Sequence, residues 1–494
     1  MDISSLGVTE LLEAFSSGKL TSAAAVDALK DTYDGDCGAE KPLNGYVEWF
    51  DDAQAAAAAA DEKRKTDASA SDTQPLLGVP FAVKDNISIK GKSCTCGSNL
   101  LKGYTAPYTA TIVQRLLDAG AIPVGRTNMD EFAMGSSTEY SAYGPSRNPV
   151  NRDYAPGGSS GGSAAVVAGN QAPFALGTET GGSVRLPASY CGVYGLKPTY
   201  GSLSRWGITS FGSSLDQAGI MGRSPRDIAL PLSVMAGVDP YDDTSADLDV
   251  SNLKNLKARE ISGLRVAVPK QFEEAKGLDS EVAAVFESAK KWFRERGAIV
   301  ETVDIPILDA SVASYYVIAL SEAASNLARF DGIRFGQRRD PGEGFDALFT
   351  ATRSEGFGAE VKRRIIIGNY ALSTTFSGDC YKKALSVRAR IQREISAVLS
   401  DRDIILCPTA PAPAFKLGEK VNDPLAMYLS DMFTVFVNLA RIPSISVPAD
   451  RALAGKTAAG KTATGLPIGI QFAGKHFSES AILGIAQAWE ESAK

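Results

Sequence analysis

Gly78-Val79-Pro80-Phe81-Ala82-Val83-Lys84-Asp85-Asn86 is a short apolar run that stops at a lysine. The same texture returns at Ile122 to Val124 and at Phe174 to Leu176, with Gly-rich turns between the runs. Short apolar runs bounded by turn-formers read as buried strands. Thr109 to Ala119 reads as a helix between two of them. Strands alternating with helices over about residues 75 to 237 predict an α/β sheet.

Working outward from this stretch, residues 1 to 70 read as a helical N-terminal segment. Leu11, Leu12, Phe15 and Leu20 are roughly helically spaced, and Ala53 to Glu62 is a strong helix former. Residues 71–494 form the main domain, with about 239 to 260 a polar connector holding Asp239, Asp242, Asp243 and Asp247. Beyond it, Leu264 to Val268 and Ile299 to Val303 read as strands. Between them Val282, Val285, Phe286, Ala289 and Phe293 keep helical spacing, with Asp279 as N-cap and Gly297 as C′ residue. This predicts a βαβ-like unit on the same sheet. Residues 310 to 400 read as mostly helical, interrupted near Asp340 to Gly344. Ile404 to Cys407, Ile445 to Val447 and Ile468 to Phe472 read as strands, Lys456 to Thr464 as a hairpin tip and Ser478 to Lys494 as a helix.

The 494 residues are 44% hydrophobic and 22% charged, which excludes a disordered, collagenous or coiled-coil chain. A formal net charge of −6 argues against gripping nucleic acid unaided. The six cysteines are Cys37, Cys94, Cys96, Cys191, Cys380 and Cys407. They are too few for a disulfide scaffold, and the gap between Cys94 and Cys96 is not zinc-ligand spacing. Met1 to Leu20 has no basic start before an apolar stretch, so it does not read as a signal peptide. No apolar run approaches the ~18 residues of a membrane span. The expected location is the cytoplasm, with no membrane partner.

One histidine, His476, lies in what reads as a loop after a strand. A base in this chain is therefore expected to be something other than histidine. Two segments carry serines among glycines: Pro156-Gly157-Gly158-Ser159-Ser160-Gly161-Gly162-Ser163 and Gly177-Thr178-Glu179-Thr180-Gly181-Gly182-Ser183-Val184-Arg185. Glycine lets the backbone approach a ligand closely and present its N–H groups to an anion or oxyanion. The first segment runs straight into Ala164 to Ala168, unlike a flexible linker. It lacks the Gly-Lys-Ser/Thr ending of a phosphate loop. Gly158 to Gly162 matches G-x-S-x-G around Ser160, but that elbow needs a histidine. Structural turn, anion loop and catalytic serine all remain open on composition. A serine can also be activated by a neutral lysine. Ser288 to Lys291 matches S-x-x-K only by chance, inside the amphipathic helix. Lys84 is better placed, because a lysine ending a buried strand is desolvated and its pKa falls; a strand-end lysine reaching solvent is the plainer alternative.

Together, Gly78 to Asn86, the Gly-Gly-Ser-Ser-Gly-Gly-Ser run and Gly177 to Ala188 resemble the amidase signature family. Gly125 to Glu139, Cys191 to Gly201, Ser213 to Gln217, Lys362 to Ile365 and Met427 to Asp431 extend the likeness over about residues 5 to 490. They point to the branch of the family that hydrolyses glutamine for tRNA-dependent amidation. The resemblance implies one large α/β domain, a mixed central sheet covered by helices on both faces. It implies a Ser-Ser-Lys triad: Ser183 as nucleophile, Ser159 as proton relay after a cis Gly158–Ser159 peptide, and Lys84 as general base. The N–H groups of Thr180, Gly181, Gly182 and Ser183 would form the oxyanion hole. One such donor is typically worth about 3 kcal/mol in the transition state.

The substrate so implied is glutamine, a zwitterion. Asp431 would take its α-amino group and Arg364 its α-carboxylate, with Arg363 the alternative and Tyr315 a further lining residue. An arginine fork suits a carboxylate. No metal site and no cofactor are expected in this chain. Ammonia would pass to a partner B subunit that uses ATP and Mg²⁺ on Glu-tRNA(Gln), with a small C subunit completing a heterotrimer. Glu179, Leu186 and Arg126 depart from that branch's usual Asp, Gln and Lys, Leu186 placing a hydrogen bond behind the nucleophile loop in doubt. A stand-alone amidase acting on another small amide is the nearest alternative. An anion- or nucleotide-binding module is the more distant one.

Overall fold

The computed structural model describes residues 2–67, 69–373, 379–453 and 460–492. An 11-stranded sheet runs through it. In chain order the strands are β1 (Tyr46–Trp49), β2 (Pro80–Lys84), β3 (Ile122–Thr127), β4 (Phe174–Glu179), β5 (Tyr194–Lys197), β6 (Gln217–Gly222), β7 (Arg265–Pro269), β8 (Ile299–Val303), β9 (Ile404–Pro408), β10 (Ser444–Pro448) and β11 (Gly469–Gly474). Their spatial order is β1-β3-β2-β4-β6-β5-β10-β11-β9-β7-β8. β2 is parallel to β3 and β4, and β7 to β8 and β9; the remaining pairs are antiparallel. The sheet is thus mixed, as expected.

Alternate strand residues enter different apolar clusters. Phe81, Val83, Phe174 and Leu176 belong to one, Ala82 and Ala175 to the other. Neighbours on a strand point to opposite faces, so both faces are covered. On one face lie Ala53, Ala57 and Ala60 of the helix Ala53–Thr66 and Ala164, Val166 and Val167 of the helix Gly161–Ala168. On the other lie Ile112 and Leu116 of the helix Thr111–Asp118 and Ile228 and Leu232 of the helix Pro225–Met235.

Three strands escaped the sequence pattern: β1, β5 and β6. The helical reading of residues 1 to 70 is corrected by β1, which pairs antiparallel with β3. Its Tyr46 and Trp49 pack with Tyr33 at ring-centroid distances of 5.5 and 5.3 Å. Aromatic residues suit such a pleated, half-buried surface. The expected β7–helix–β8 unit is present, its strands parallel and joined by the helix Ser280–Glu295. Asp279 accepts the N–H groups of Glu281 and Val282 at 2.8 and 3.4 Å, and Gly297 follows the helix at φ +83°. Residues 310 to 400 are mainly helical, in Ser311–Asn326, Phe345–Gly356, Ala359–Leu372 and Cys380–Ser400. The expected hairpin tip lies partly outside the described residues, at 456–459; Gly465 closes a turn onto Thr462. The closing helix runs Glu479–Glu491.

The helical run Pro306–Arg329 is long and apolar enough for a membrane span, with a mean hydropathy of 1.2. The sequence pattern had offered no such run. Its Tyr315, Ile318, Ala319 and Ala323 are buried in the main apolar cluster, as in a core helix. Parallel pairing of β2 with β4 sets their C-terminal ends side by side, at Lys84 and Glu179. The second Gly-Ser segment leaves β4 there, and the first reaches Lys84 through the hydroxyls of Ser159 and Ser160.

Candidate active site

Lys84 closes β2 and is 0% exposed. Its Nζ lies 2.9 Å from Ser159 Oγ, 2.8 Å from Ser160 Oγ, 3.0 Å from Thr178 Oγ1 and 3.3 Å from the Thr178 carbonyl. Burial pulls the amine down to about 7, against the opposing fields of Asp130 and Asp216. Proton positions follow from the contacts. Ser160 donates to the Thr178 carbonyl at 3.1 Å, so its oxygen is left to accept from Lys84. Thr178 Oγ1 also accepts from Asn86 Nδ2 at 3.0 Å. Ser159 Oγ has no hydrogen-bond partner besides Lys84 among the described residues. Its proton therefore faces the amine whenever the amine is neutral. The Gly158–Ser159 peptide is cis, as the resemblance implied. Asp130 donates its N–H to the Ser159 carbonyl at 3.2 Å. Burial pushes the Asp130 carboxyl up to about 6, although Thr138 and Tyr140 N–H groups donate to it.

The second Gly-Ser segment turns from β4 into the helix Arg185–Cys191. The Glu179 carboxylate shapes this turn by accepting the N–H groups of Val184 and Arg185, each at 3.1 Å. It also takes Arg185 Nε at 2.9 Å and Arg185 Nη2. Burial opposes its charge, but the Arg185 guanidinium holds the Glu179 carboxyl below its usual value. The rest of that guanidinium donates to Gln471 Oε1, Asn438 Oδ1 and the Thr434 carbonyl, at 2.6, 2.8 and 3.0 Å. Ser160 donates its N–H to the Ser183 carbonyl at 3.1 Å, joining the two serine loops. Ser183 is half-buried, and its hydroxyl makes no hydrogen bond to any described residue, Ser159 included. The N–H groups of Thr180, Gly181, Gly182 and Ser183 likewise have no acceptor among the described residues. Gly182 sits at φ +150°, a conformation L side chains avoid. Thr180 is held by its hydroxyl on Asp216 Oδ1 at 2.7 Å.

The residues expected to bind substrate gather over this loop. A side chain at Gly181 would run into the Tyr315 ring, and one at Gly182 would come within 3.3 Å of Asp431 Oδ1. Asp431 is 7% exposed and accepts from Ser136 Oγ at 3.0 Å and Tyr316 OH at 3.1 Å. Burial pushes its carboxyl up to about 7, with the Arg364 cation pulling the other way. Arg364 is 3% exposed, whereas the Arg363 side chain is 40% exposed, so Arg364 is the inward one. Arg364 donates Nε to Glu360 at 2.8 Å and lies over the Tyr428 ring at 5.1 Å. Its two Nη nitrogens have no acceptor among the described residues.

Some features of the site are not legible in the sequence. Ser160, Thr178, Asp216, Tyr316, Glu360 and Thr434 all take part. Ser160 matches an elbow serine by motif; with its hydroxyl buried and shared between Lys84 and Thr178 it is not free to attack. Leu186 faces an apolar cluster with Tyr190, Phe415 and Met427. Arg126 bridges Asp85 and Glu48. His476 is exposed in the turn after β11.

A desolvated amine on a serine hydroxyl, beside unpaired backbone N–H groups, is equipment for acyl transfer without histidine. Residues 32–483 match the family model described as Amidase, and the chain belongs to that family. It is 60% identical over 492 residues to the A subunit of glutamyl-tRNA(Gln) amidotransferase from Treponema denticola, covering 99% of each chain. The crystal structure of the A subunit of glutamyl-tRNA(Gln) amidotransferase from Thermotoga maritima is 37% identical, with TM-score 0.78 over 99% of this chain and 95% of that one. A native peptide amidase from Stenotrophomonas maltophilia is 28% identical, with TM-score 0.81 over 98% of this chain and 96% of that one.

Proposed function

We propose that the chain is the glutamine-hydrolysing component of a glutamyl-tRNA(Gln) amidotransferase. The observation that carries the chemistry is the contact of the buried Lys84 amine with Ser159, 2.9 Å away. Ser183 is the nucleophile. Its uncommitted hydroxyl rotates about the Cα–Cβ bond to meet Ser159 as the substrate carbonyl enters. Neutral Lys84 takes the Ser159 proton while Ser159 takes that of Ser183, and Ser183 Oγ bonds to the amide carbon. The resulting oxyanion lies on the N–H groups of Thr180, Gly181, Gly182 and Ser183. Collapse breaks the C–N bond. The Lys84 proton returns through Ser159 to the leaving nitrogen, which departs as ammonia. Water then attacks the ester by the same relay, giving glutamate and free Ser183.

Arg364 and Asp431 support an amino-acid substrate. The free Nη edge fits the α-carboxylate, and the Asp431 carboxylate fits the α-ammonium. Tyr315 lines the pocket. Ammonia passes to a B subunit, which uses ATP and Mg²⁺ to convert Glu-tRNA(Gln), with a C subunit completing a heterotrimer. The name of the Treponema denticola relative, the A subunit of an amidotransferase, supports this division. Cytoplasmic location fits six free thiols.

Ser183→Ala and Lys84→Ala are each expected to abolish ammonia release from glutamine by the full chain. The readout is coupled glutamate production, with circular dichroism confirming the fold. Wild-type turnover in either variant would remove that residue from the triad.

A further inference from the structure

Thr434 links the two halves of the site. It stands between the turn Leu429–Asp431, which carries the Asp431 carboxylate, and the helix Val435–Ala440, and is fully buried. Its hydroxyl lies 2.6 Å from the Gly181 carbonyl and 3.0 Å from the Asp431 carbonyl. A hydroxyl has one proton to give, and the shorter contact takes it. Thr434 is itself fixed, because its N–H donates to the Asp431 carbonyl at 3.0 Å and its carbonyl accepts Arg185 Nη2 at 3.0 Å.

The Gly181–Gly182 peptide is trans, since the cis bond lies at Gly158–Ser159. In a trans peptide the C=O and the following N–H point in opposite directions. Holding the Gly181 carbonyl against Thr434 therefore turns the Gly182 N–H away from Thr434, where it has no acceptor among the described residues. The next peptide is held in the same manner. The Gly182 carbonyl accepts the Leu186 N–H at 2.8 Å, which sets the Ser183 N–H. The first of these two planes depends on a side chain, and it is flanked by glycines whose φ and ψ resist rotation least.

We infer that Thr434 is a positioning residue, whose hydroxyl aims the Gly182 N–H at the oxyanion. The inference rests on the proposed role of Ser183 as nucleophile. Because glutamine is held elsewhere, by Arg364 and Asp431, loss of the hydroxyl should act on the chemical step rather than on substrate affinity.

The test compares Thr434→Val, Thr434→Ser and Ser183→Ala with the wild type, as full chains releasing ammonia from glutamine. Thr434→Val should lower kcat on the order of 10- to 100-fold, short of the ~10²–10³ of deleting a donor outright, with KM within about twofold. Thr434→Ser keeps the hydroxyl and should stay within about threefold of wild type. Should the valine variant not fold, Thr434→Ala against Thr434→Ser makes the same comparison. Full kcat without the hydroxyl, or equal losses in both variants, overturns the inference. If Ser183→Ala is dead beside a fully active Thr434→Val, the inference fails alone. If Ser183→Ala retains turnover, the nucleophile assignment falls and takes this inference with it.

Discussion

Lys84 touches four oxygen atoms, all of them hydroxyl or carbonyl. With no carboxylate in contact, burial is the dominant influence, and the amine is drawn down to about 7. In the proposed mechanism the neutral form is the base, so kcat should rise with pH through about 7 and then level. Asp431, pushed up to about 7, must be ionised to hold an ammonium group. It therefore adds a second rising limb to kcat/KM, and Asp431→Asn should remove that limb while leaving the one in kcat. Steady-state rates from about pH 6 to 9 check this, and a flat kcat would contradict a lysine base. Lys84, Ser159 and Ser183 could be proposed from the sequence because each sits in a short stretch that carries the family resemblance. Thr434 was not, since its partner Gly181 lies 253 residues away and nothing local marks the threonine. Arg364 was separated from Arg363 only by the rotation of its helix, which buries Val361, Arg364, Ile365 and Gly368 together.

At the scale of elements, the legible strands were the apolar ones. β5 and β6 escaped because Gly195, Gly219 and Gly222 weaken the pattern, while their neighbours on both sides supply the pairing. The β7–helix–β8 unit was readable from its cap, and the cap gives a test. Asp279→Ala should cost about 1 kcal/mol, a loss of about 1 °C in Tm for a chain this long, with kcat unchanged because this unit lies at the sheet edge opposite β1. Thermal melts and glutamine turnover measure both. An unchanged Tm would mean that the two N–H groups are equally well served by water.

For the whole molecule, the net charge of −6 bears on tRNA. The full chain alone should produce no gel shift of tRNA at physiological salt up to about 10 μM, because counterion release needs clustered cations. A shift at nanomolar protein would assign tRNA binding to this chain. The Arg185 hub has a consequence for biogenesis. Its Nη1 partner, Gln471, lies 286 residues downstream, on a strand near the end of the chain. On the ribosome, the guanidinium emerges long before that amide is synthesised, and meanwhile lacks one of its acceptors. Any polypeptide stopped before β11 leaves β9 and β10 without the strand that lies between them, and leaves Arg185 without its Gln471 acceptor.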